Sequence, residues 1–350
     1  MILKEFNYSD LNEFIFNDEI VNKLNQIYEL RGKLFNVQIN FQSVLDHLVD
    51  IAKVQSTDAS NRIEGIYTSD TRLKQLVEDK TQPHNRSEAE ISGYRDVLTL
   101  IHDNFQYIPI SKNSILALHK RLFNYTDSTW GGHFKDSDNQ IITEYSDGKK
   151  EIRFMPPPSH LTPGLIENLC DEYNHAVKEK KIPALILTGI FIFDFVSVHP
   201  FNDGNGRMSR LLLLLTMYKS DFDVGKYISI EQLIEKTKEN YYSSLKASSI
   251  DWFDNKNDYK PFINYFLSIV LQAYRNLYER IDTLEDQPVS ASDLVLKYLQ
   301  SELRPLSKRD LIELIPQYSE ITIKRALSEL REQSIIKIIG KGRASKYVLN

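Results

Sequence analysis

Apolar residues recur along most of this chain at helical spacing. Ile20, Leu24, Ile27 and Leu34 fall on one face, and Phe41, Val44, Leu45, Leu48 and Ile51 repeat the pattern, the three-to-four-residue period of amphipathic helices. Residues 183–198 (PALILTGIFIFDFVSV) and 208–218, with five consecutive leucines, are apolar nearly throughout, which predicts two elements buried on all sides. Residues 261–278 predict another helix. Strand signals are confined to two places. Residues 139–142 and 151–154 flank an Asp147-Gly148 pair, the mark of a hairpin, and residues 335–339 and 346–349 flank a Gly340-Lys341-Gly342-Arg343 turn. A mainly α fold is expected, in keeping with only 13 glycines and 12 prolines.

Between the two apolar elements lies H-P-F-N-D-G-N-G-R-M-S-R, residues 199–210. Pro200 and the Gly204/Gly206 pair interrupt regular structure, so the segment should be a tight turn feeding a helix N-terminus. Free backbone N–H groups and the helix dipole attract an anion there, and glycines let a phosphate come close. Arg207 and Arg210, three apart, are neighbours on the first turn and can take further phosphate oxygens. Asp203 is placed to hold Mg²⁺, which binds through one or two carboxylates together with substrate phosphates. His199 is the candidate general base: the positive end of the following helix disfavours imidazolium and keeps the ring neutral near pH 7. Phe201 is expected to anchor the loop in the core. The segment lacks the Lys-Ser/Thr ending of a Walker loop and the strand and acidic residue of a dinucleotide fold.

Upstream, Ser60-Asn61-Arg62-Ile63-Glu64-Gly65 closes a helical pattern. Ser60 and Glu64 are four apart and share a helix face, and Gly65 is a natural stop. Taken alone, Glu64 reads as a surface carboxylate at a helix end.

The 199–210 stretch resembles the signature of the Fic family, H-x-F-x-(D/E)-G-N-G-R-x-x-R, at each specified position. The resemblance implies a helical core that transfers AMP from ATP to a hydroxyl side chain of a protein target, releasing pyrophosphate. By it, His199 deprotonates the hydroxyl and Asp203 ligates Mg²⁺. Gly204, Asn205 and Gly206 form the anion cradle, and Arg207 and Arg210 hold the β- and γ-phosphates. The kinase-like Doc branch has Lys where Gly206 stands, which favours nucleotidyl transfer over phosphorylation. Residues 60–65 are similar to the family's inhibitory motif, (S/T)-x-x-x-E-(G/N), in the N-terminal position of the class II members. That similarity implies a bidentate pairing of Glu64 with Arg210 that competes with ATP. In some relatives the same glutamate assists removal of AMP, so a secondary de-AMPylation is implied as well. Gly132-His133-Phe134-Lys135, Asn139-Gln140-Ile141 and Phe154-Met155-Pro156-Pro157 resemble the family's flap, whose edge pairs with an extended segment of the target. Tyr241-Tyr242-x-x-Leu245 is similar to segments near the adenine pocket, although aromatics at helical spacing also mark a core.

At 350 residues the chain has room for two or three domains. A net charge of −5 gives no overall pull toward nucleic acid. Cys170, the single cysteine, excludes intramolecular disulfides and a cysteine-based metal cluster and suits a reducing compartment. The longest apolar run is broken by Thr188, Gly189 and Asp194, short of a membrane span. Residues 1–7 mix charge with Phe and Leu rather than forming a leader. A cytoplasmic protein with no membrane association is expected.

Three blocks emerge: an N-terminal helical region, 1–105, carrying the 60–65 motif; a Fic-like core, 106–280, with the flap at about 132–156; and a tail, 289–350, after a polar break at 282–292. The tail predicts a helix over 294–303, a second from Lys308 capped by Ser307, a third from Ser319 or Glu320 to Gln333, then a two-stranded wing. This resembles a winged helix. Eleven Lys/Arg against seven Asp/Glu give it +4, which fits DNA contact through Lys324, Arg325 and the wing and equally fits protein docking or dimerisation. The expected activity is therefore protein adenylyltransferase, with self-modification, a homodimer and another nucleotide donor left open. The alternative is a winged-helix transcription regulator whose core senses nucleotide or modifies the protein itself.

Overall fold

The computed structural model describes residues 4–8, 15–40, 42–144, 150–285, 290–302, 304–316, 318–340, 342 and 345–350. Phe41, the Asp147-Gly148 pair, Leu303, Lys341 and Arg343 lie outside the described residues. The chain divides into two compact units, Met1–Tyr278 and Glu279–Asn350, so the blocks expected at 1–105 and 106–280 share one unit. No described helix is long and apolar enough to cross a membrane.

The first unit is helical apart from one hairpin. Its helices are α1 (Asp18–Asn40), α2 (Gln42–Ile63), α3 (Asp70–Val77), α4 (Arg86–Asn104), α5 (Lys112–Leu122), α6 (Thr162–Glu179), α7 (Ala184–Val198), α8 (Asn205–Lys219), α9 (Ile230–Lys236), α10 (Lys238–Ser248) and α11 (Lys260–Glu285), whose last residues, from Glu279, belong to the second unit. Strands β1 (Ile141–Glu144) and β2 (Lys150–Phe154) pair antiparallel, with an irregularity between Ile141 and Ile142.

The two apolar runs form α7 and α8, which pack on each other at the centre. Leu211 to Leu215 are all buried, as a helix apolar on every side requires. Helix α2 packs along α4 and α9 and ends where Gly65 turns to a φ of +78°. Gly93 on α4 admits the backbone of α5: a Cβ there would overlap the Leu122 carbonyl.

A buried carboxylate ties distant segments to α7. Asp194 accepts hydrogen bonds from Tyr8 Oη (2.6 Å), Trp252 Nε1 (2.7 Å) and Tyr259 Oη (3.0 Å). Burial pushes its carboxyl up, against Lys4 and the three donors.

The second unit holds α12 (Ala291–Ser301), β3 (Leu306–Ser307), α13 (Lys308–Leu314), α14 (Glu320–Glu332), β4 (Ile336–Ile339) and β5 (Lys346–Leu349). Its antiparallel sheet has the order β3-β5-β4, one short strand more than the two-stranded expectation. Ser307 and Asp310 form a reciprocal capping box at α13, and Ser319 caps α14. Val295, Leu306, Leu311, Ile323, Leu327 and Ile336 fill its core.

Replacing Asp194 by Ala leaves buried hydroxyl and indole donors without an acceptor. The expected cost is on the order of 3 kcal/mol, read as a lower denaturant midpoint for the first unit. An unchanged midpoint would show that this network does not hold the unit together.

Candidate active site

The 199–210 segment is the junction of α7 and α8. His199 closes α7 as its C-cap in the left-handed region, with φ of 48°, and Gly204, with φ of 81°, opens α8 without a side-chain cap. Phe201 is fully buried and stacks on the His119 ring at 3.6 Å, as an anchor should.

Several side chains staple this turn. Asn205 Oδ1 accepts from Phe201 N–H (2.9 Å), and Asn205 Nδ2 donates to the Phe201 carbonyl (2.8 Å). Its amide thus closes the loop, while the residue still lines the cavity described below. Lys135 and Asn139, in the segment expected to form a flap, buttress the turn. Lys135 Nζ donates to the Val198 carbonyl (3.3 Å) and Asn139 Oδ1 (2.9 Å). Asn139 Nδ2 reaches the carbonyls of His199 (3.4 Å) and Phe201 (3.2 Å). His119 Nδ1 accepts from Gly132 N–H, so Nε2 carries the proton and donates to the Asp203 carbonyl, both at 3.0 Å.

His199, Asn205, Gly206, Arg210, Tyr241, Tyr242 and Glu64 line one cavity of about 470 Å³. His199 is pushed down to about 4 by burial and by the nearby Lys135 ammonium, so the ring is neutral at pH 7. The direction matches the sequence argument and the cause differs. His199 sits at the carbonyl end of α7, which favours a cation; burial and Lys135 overcome that preference.

Arg210 is buried, and its guanidinium is shared. Nε donates to Ser60 Oγ (2.8 Å), and Nη2 donates to the Ser60 carbonyl (2.9 Å) and to Glu64 Oε1 (2.8 Å). The expected bidentate Glu64–Arg210 pair is therefore a single charge-assisted contact from Nη2, with Ser60 taking Nε and the other Nη2 bond. Burial pushes the Glu64 carboxyl up, but Arg210 outweighs it and holds the group below the usual carboxylate range. The Glu64 side chain keeps 32% exposure, which puts it at the mouth of the cavity, within reach of a competing solute. Its carboxylate lies against Gly206, where a Cβ would overlap it.

Arg207 departs from the expected arrangement. It is buried, pairs with Glu90 Oε2 at 2.7 Å, lies over the Phe123 ring at 5.2 Å and approaches Asp203 Oδ1 at 3.4 Å. It faces α4 rather than the cavity. Arg86 completes the cluster, 2.8 Å from Glu90 Oε1 and 3.6 Å from Asp203 Oδ2. Asp203 also accepts from Gly204 N–H at 2.6 Å. Tyr241 packs its ring near Phe262 and Tyr265, whereas Tyr242 lies under Arg153 and near Lys238. Lys238 Nζ donates to the Ile63 carbonyl at 2.8 Å, holding the end of α2.

The sequence reading missed Glu90, Arg86, His119, Arg153 and Lys238. Glu88 and Glu90, both buried within E-A-E-I-S-G-Y on α4, were the available signal for a partnered acid.

The family model described as Fic/DOC family matches residues 109–217. Protein adenylyltransferase fic-1 of Caenorhabditis elegans is 27% identical over 221 residues, 62% of this chain and 39% of that protein. A probable protein adenylyltransferase of Aquifex aeolicus is 26% identical over 151 residues, 38% of this chain and 46% of that protein. The chain thus spans less than half the length of these two curated relatives. A Fic family protein from Desulfovibrio desulfuricans G20 has the same fold, with a TM-score of 0.63 at 23% identity over 96% of this chain and 97% of that one. A Fic domain containing signaling protein from Bacteroides thetaiotaomicron gives 0.59 at 21% identity over 71% and 94%. With the signature turn at the junction of its two central helices, the chain matches the Fic/DOC family model over residues 109–217 and shares the fold of these Fic proteins.

Proposed function

We propose that the chain is a self-restrained protein adenylyltransferase, which moves AMP from ATP to a Ser, Thr or Tyr hydroxyl of a protein target. The observation that carries this is the Glu64 carboxylate lying on Gly206 and Arg210, in the cavity that also holds His199. An anion already occupies the cradle, and a neutral base stands beside it.

In this reading the target oxygen attacks the α-phosphorus. The new O–P bond forms as the bond from that phosphorus to the oxygen bridging the β-phosphate breaks. The hydroxyl proton passes to His199, and pyrophosphate leaves with the electron pair. The uncapped N–H groups of α8, and Arg210 once freed, stabilise phosphate charge. Asp203 would hold Mg²⁺: it offers a partly exposed oxygen donor, and among the described residues no group of three His/Cys/Asp/Glu could hold a metal alone. Substrate phosphates would complete the shell. Bound there, the ion neutralises phosphate charge. Arg207 and Glu90 orient Asp203 in this scheme.

Glu64 and Ser60 keep Arg210 from the γ-phosphate, so ATP enters with its phosphates displaced from in-line attack, a misplacement worth about 10²-fold. The same carboxylate is positioned to orient a water for AMP removal. The β1–β2 edge offers backbone groups to an extended target.

We read the second unit as a winged-helix-like docking module. Three of its described cations are engaged internally: Lys324 with Glu320, Arg325 with Glu329 and Arg309 with Glu313, at 2.8 to 2.9 Å. That pairing supports a protein partner over DNA.

With ATP labelled at the α-phosphate, Glu64→Gly should label itself or lysate proteins about 10²-fold faster than the parent chain. Adding His199→Ala should cost about 10² to 10⁴ in rate. Equal, high labelling in the parent would remove the brake, and silence in both would remove the transfer.

Because His199 stays neutral down to about pH 4, kcat/KM of Glu64→Gly should hold level from pH 8 to about 5.5. The fall belongs below that. A limb centred near 6.5 would mean an ordinary imidazole.

Duplex DNA should be retained weakly by the full chain at about 50 mM salt and lost by about 200 mM, without sequence preference. Tight, selective retention would favour the regulator reading.

A further inference from the structure

Arg153 is a cation the proposed mechanism does not use. It stands on β2, half-buried, with its guanidinium carbon 4.8 Å from the centroid of the Tyr242 ring. It lines the cavity with His199, Arg210, Ile141, Val196 and Leu245. Burial pushes its pKa down, and among the described residues the groups that oppose this are Tyr242 and Tyr241 rather than a carboxylate. Arg153 also helps to hold the His199 ring neutral, which places its charge beside the base.

A guanidinium that stacks its face on an aromatic ring keeps its N–H edge free to donate. A partly desolvated cation gains most from an anionic acceptor. In the transferase reading Gly206 and Arg210 take the β/γ phosphates, while Ile141, Val196 and Leu245 give the cavity an apolar wall. Arg153 shares that wall, and its charge acts on the His199 ring. The phosphate that must stand beside the base is the one under attack.

We propose that Arg153 is a nucleotide-binding residue, donating from the hairpin to the α-phosphate of the bound nucleotide while Tyr242 supports its guanidinium. The hairpin then closes on the nucleotide as well as on the target. This inference rests on the transferase reading above.

The test is direct binding of ATP, AMP and adenosine to full-length Glu64→Gly, with and without Arg153→Ala or Arg153→Lys, each checked for an unchanged melting profile. Arg153→Ala should weaken ATP and AMP about tenfold or more, the range of a hydrogen bond to a charged group, and leave adenosine unchanged. Arg153→Lys should recover part of the loss. Equal weakening of adenosine would put Arg153 on the nucleoside and overturn the assignment. Unchanged ATP and AMP binding with a raised KM for the protein target would make it a target contact, which also overturns it. If Glu64→Gly with Arg153 intact binds neither ATP nor AMP, the transferase reading fails and this inference falls with it.

Discussion

The site is organised by the need to satisfy one buried cation. Arg210 projects from the largely apolar helix α8 and is itself almost wholly enclosed. A guanidinium in that position requires an anion or a set of acceptors, because an uncompensated buried charge is far costlier than a surface one. Ser60 supplies two acceptors and Glu64 supplies the charge. In the proposed reading a nucleotide phosphate is the natural competitor for the Glu64 share of that fork, so restraint and substrate binding draw on the same electrostatic demand. Gly206 is common to both, since its missing Cβ leaves the room in which the carboxylate lies. A lysine at that position would meet Glu64 head-on.

The scaffold makes this contact possible by holding the turn from three sides. Asn205 closes it internally, Lys135 and Asn139 hold it from the segment that leads into the hairpin, and His119 bridges that segment to the Asp203 carbonyl. Helix α2 reaches Arg210 because it packs along α4 and α9. Polar links such as Ser56 to Ser229 (2.9 Å) and Lys238 to the Ile63 carbonyl fix its position along the way. Glu64, just past the end of α2, therefore belongs to the same compact unit as His199.

The hydrophobic pattern disclosed the helices well: α7, α8 and α11 lie where the apolar runs end, and Ser307 and Ser319 cap the helices expected of them. The turn and its main residues were also legible, because glycines, a histidine and arginines at fixed offsets have few structural alternatives. Side-chain direction was not. Arg207 and Arg210 are equivalent in spacing, yet one turns to Glu90 and the other to Glu64, and only the packing of α2 and α4 on α8 decides which. Lys135 and Asn139 read as hairpin residues by position. Both reach backbone carbonyls sixty or more residues away, and no local pattern reports such contacts.

The base illustrates how competing terms settle a functional property. The carbonyl end of α7 favours imidazolium, and so does the Glu64 charge; burial, Lys135 and Arg153 oppose it. The opposing set wins, and the ring is left neutral in a cavity otherwise rich in cations. Restraint therefore does not act by protonating the base. Loss of Glu64 removes a charge that favours imidazolium, so the ring stays neutral without it. In the proposed reading, what Glu64 withholds is the arginine, and the base is unprotonated in both states.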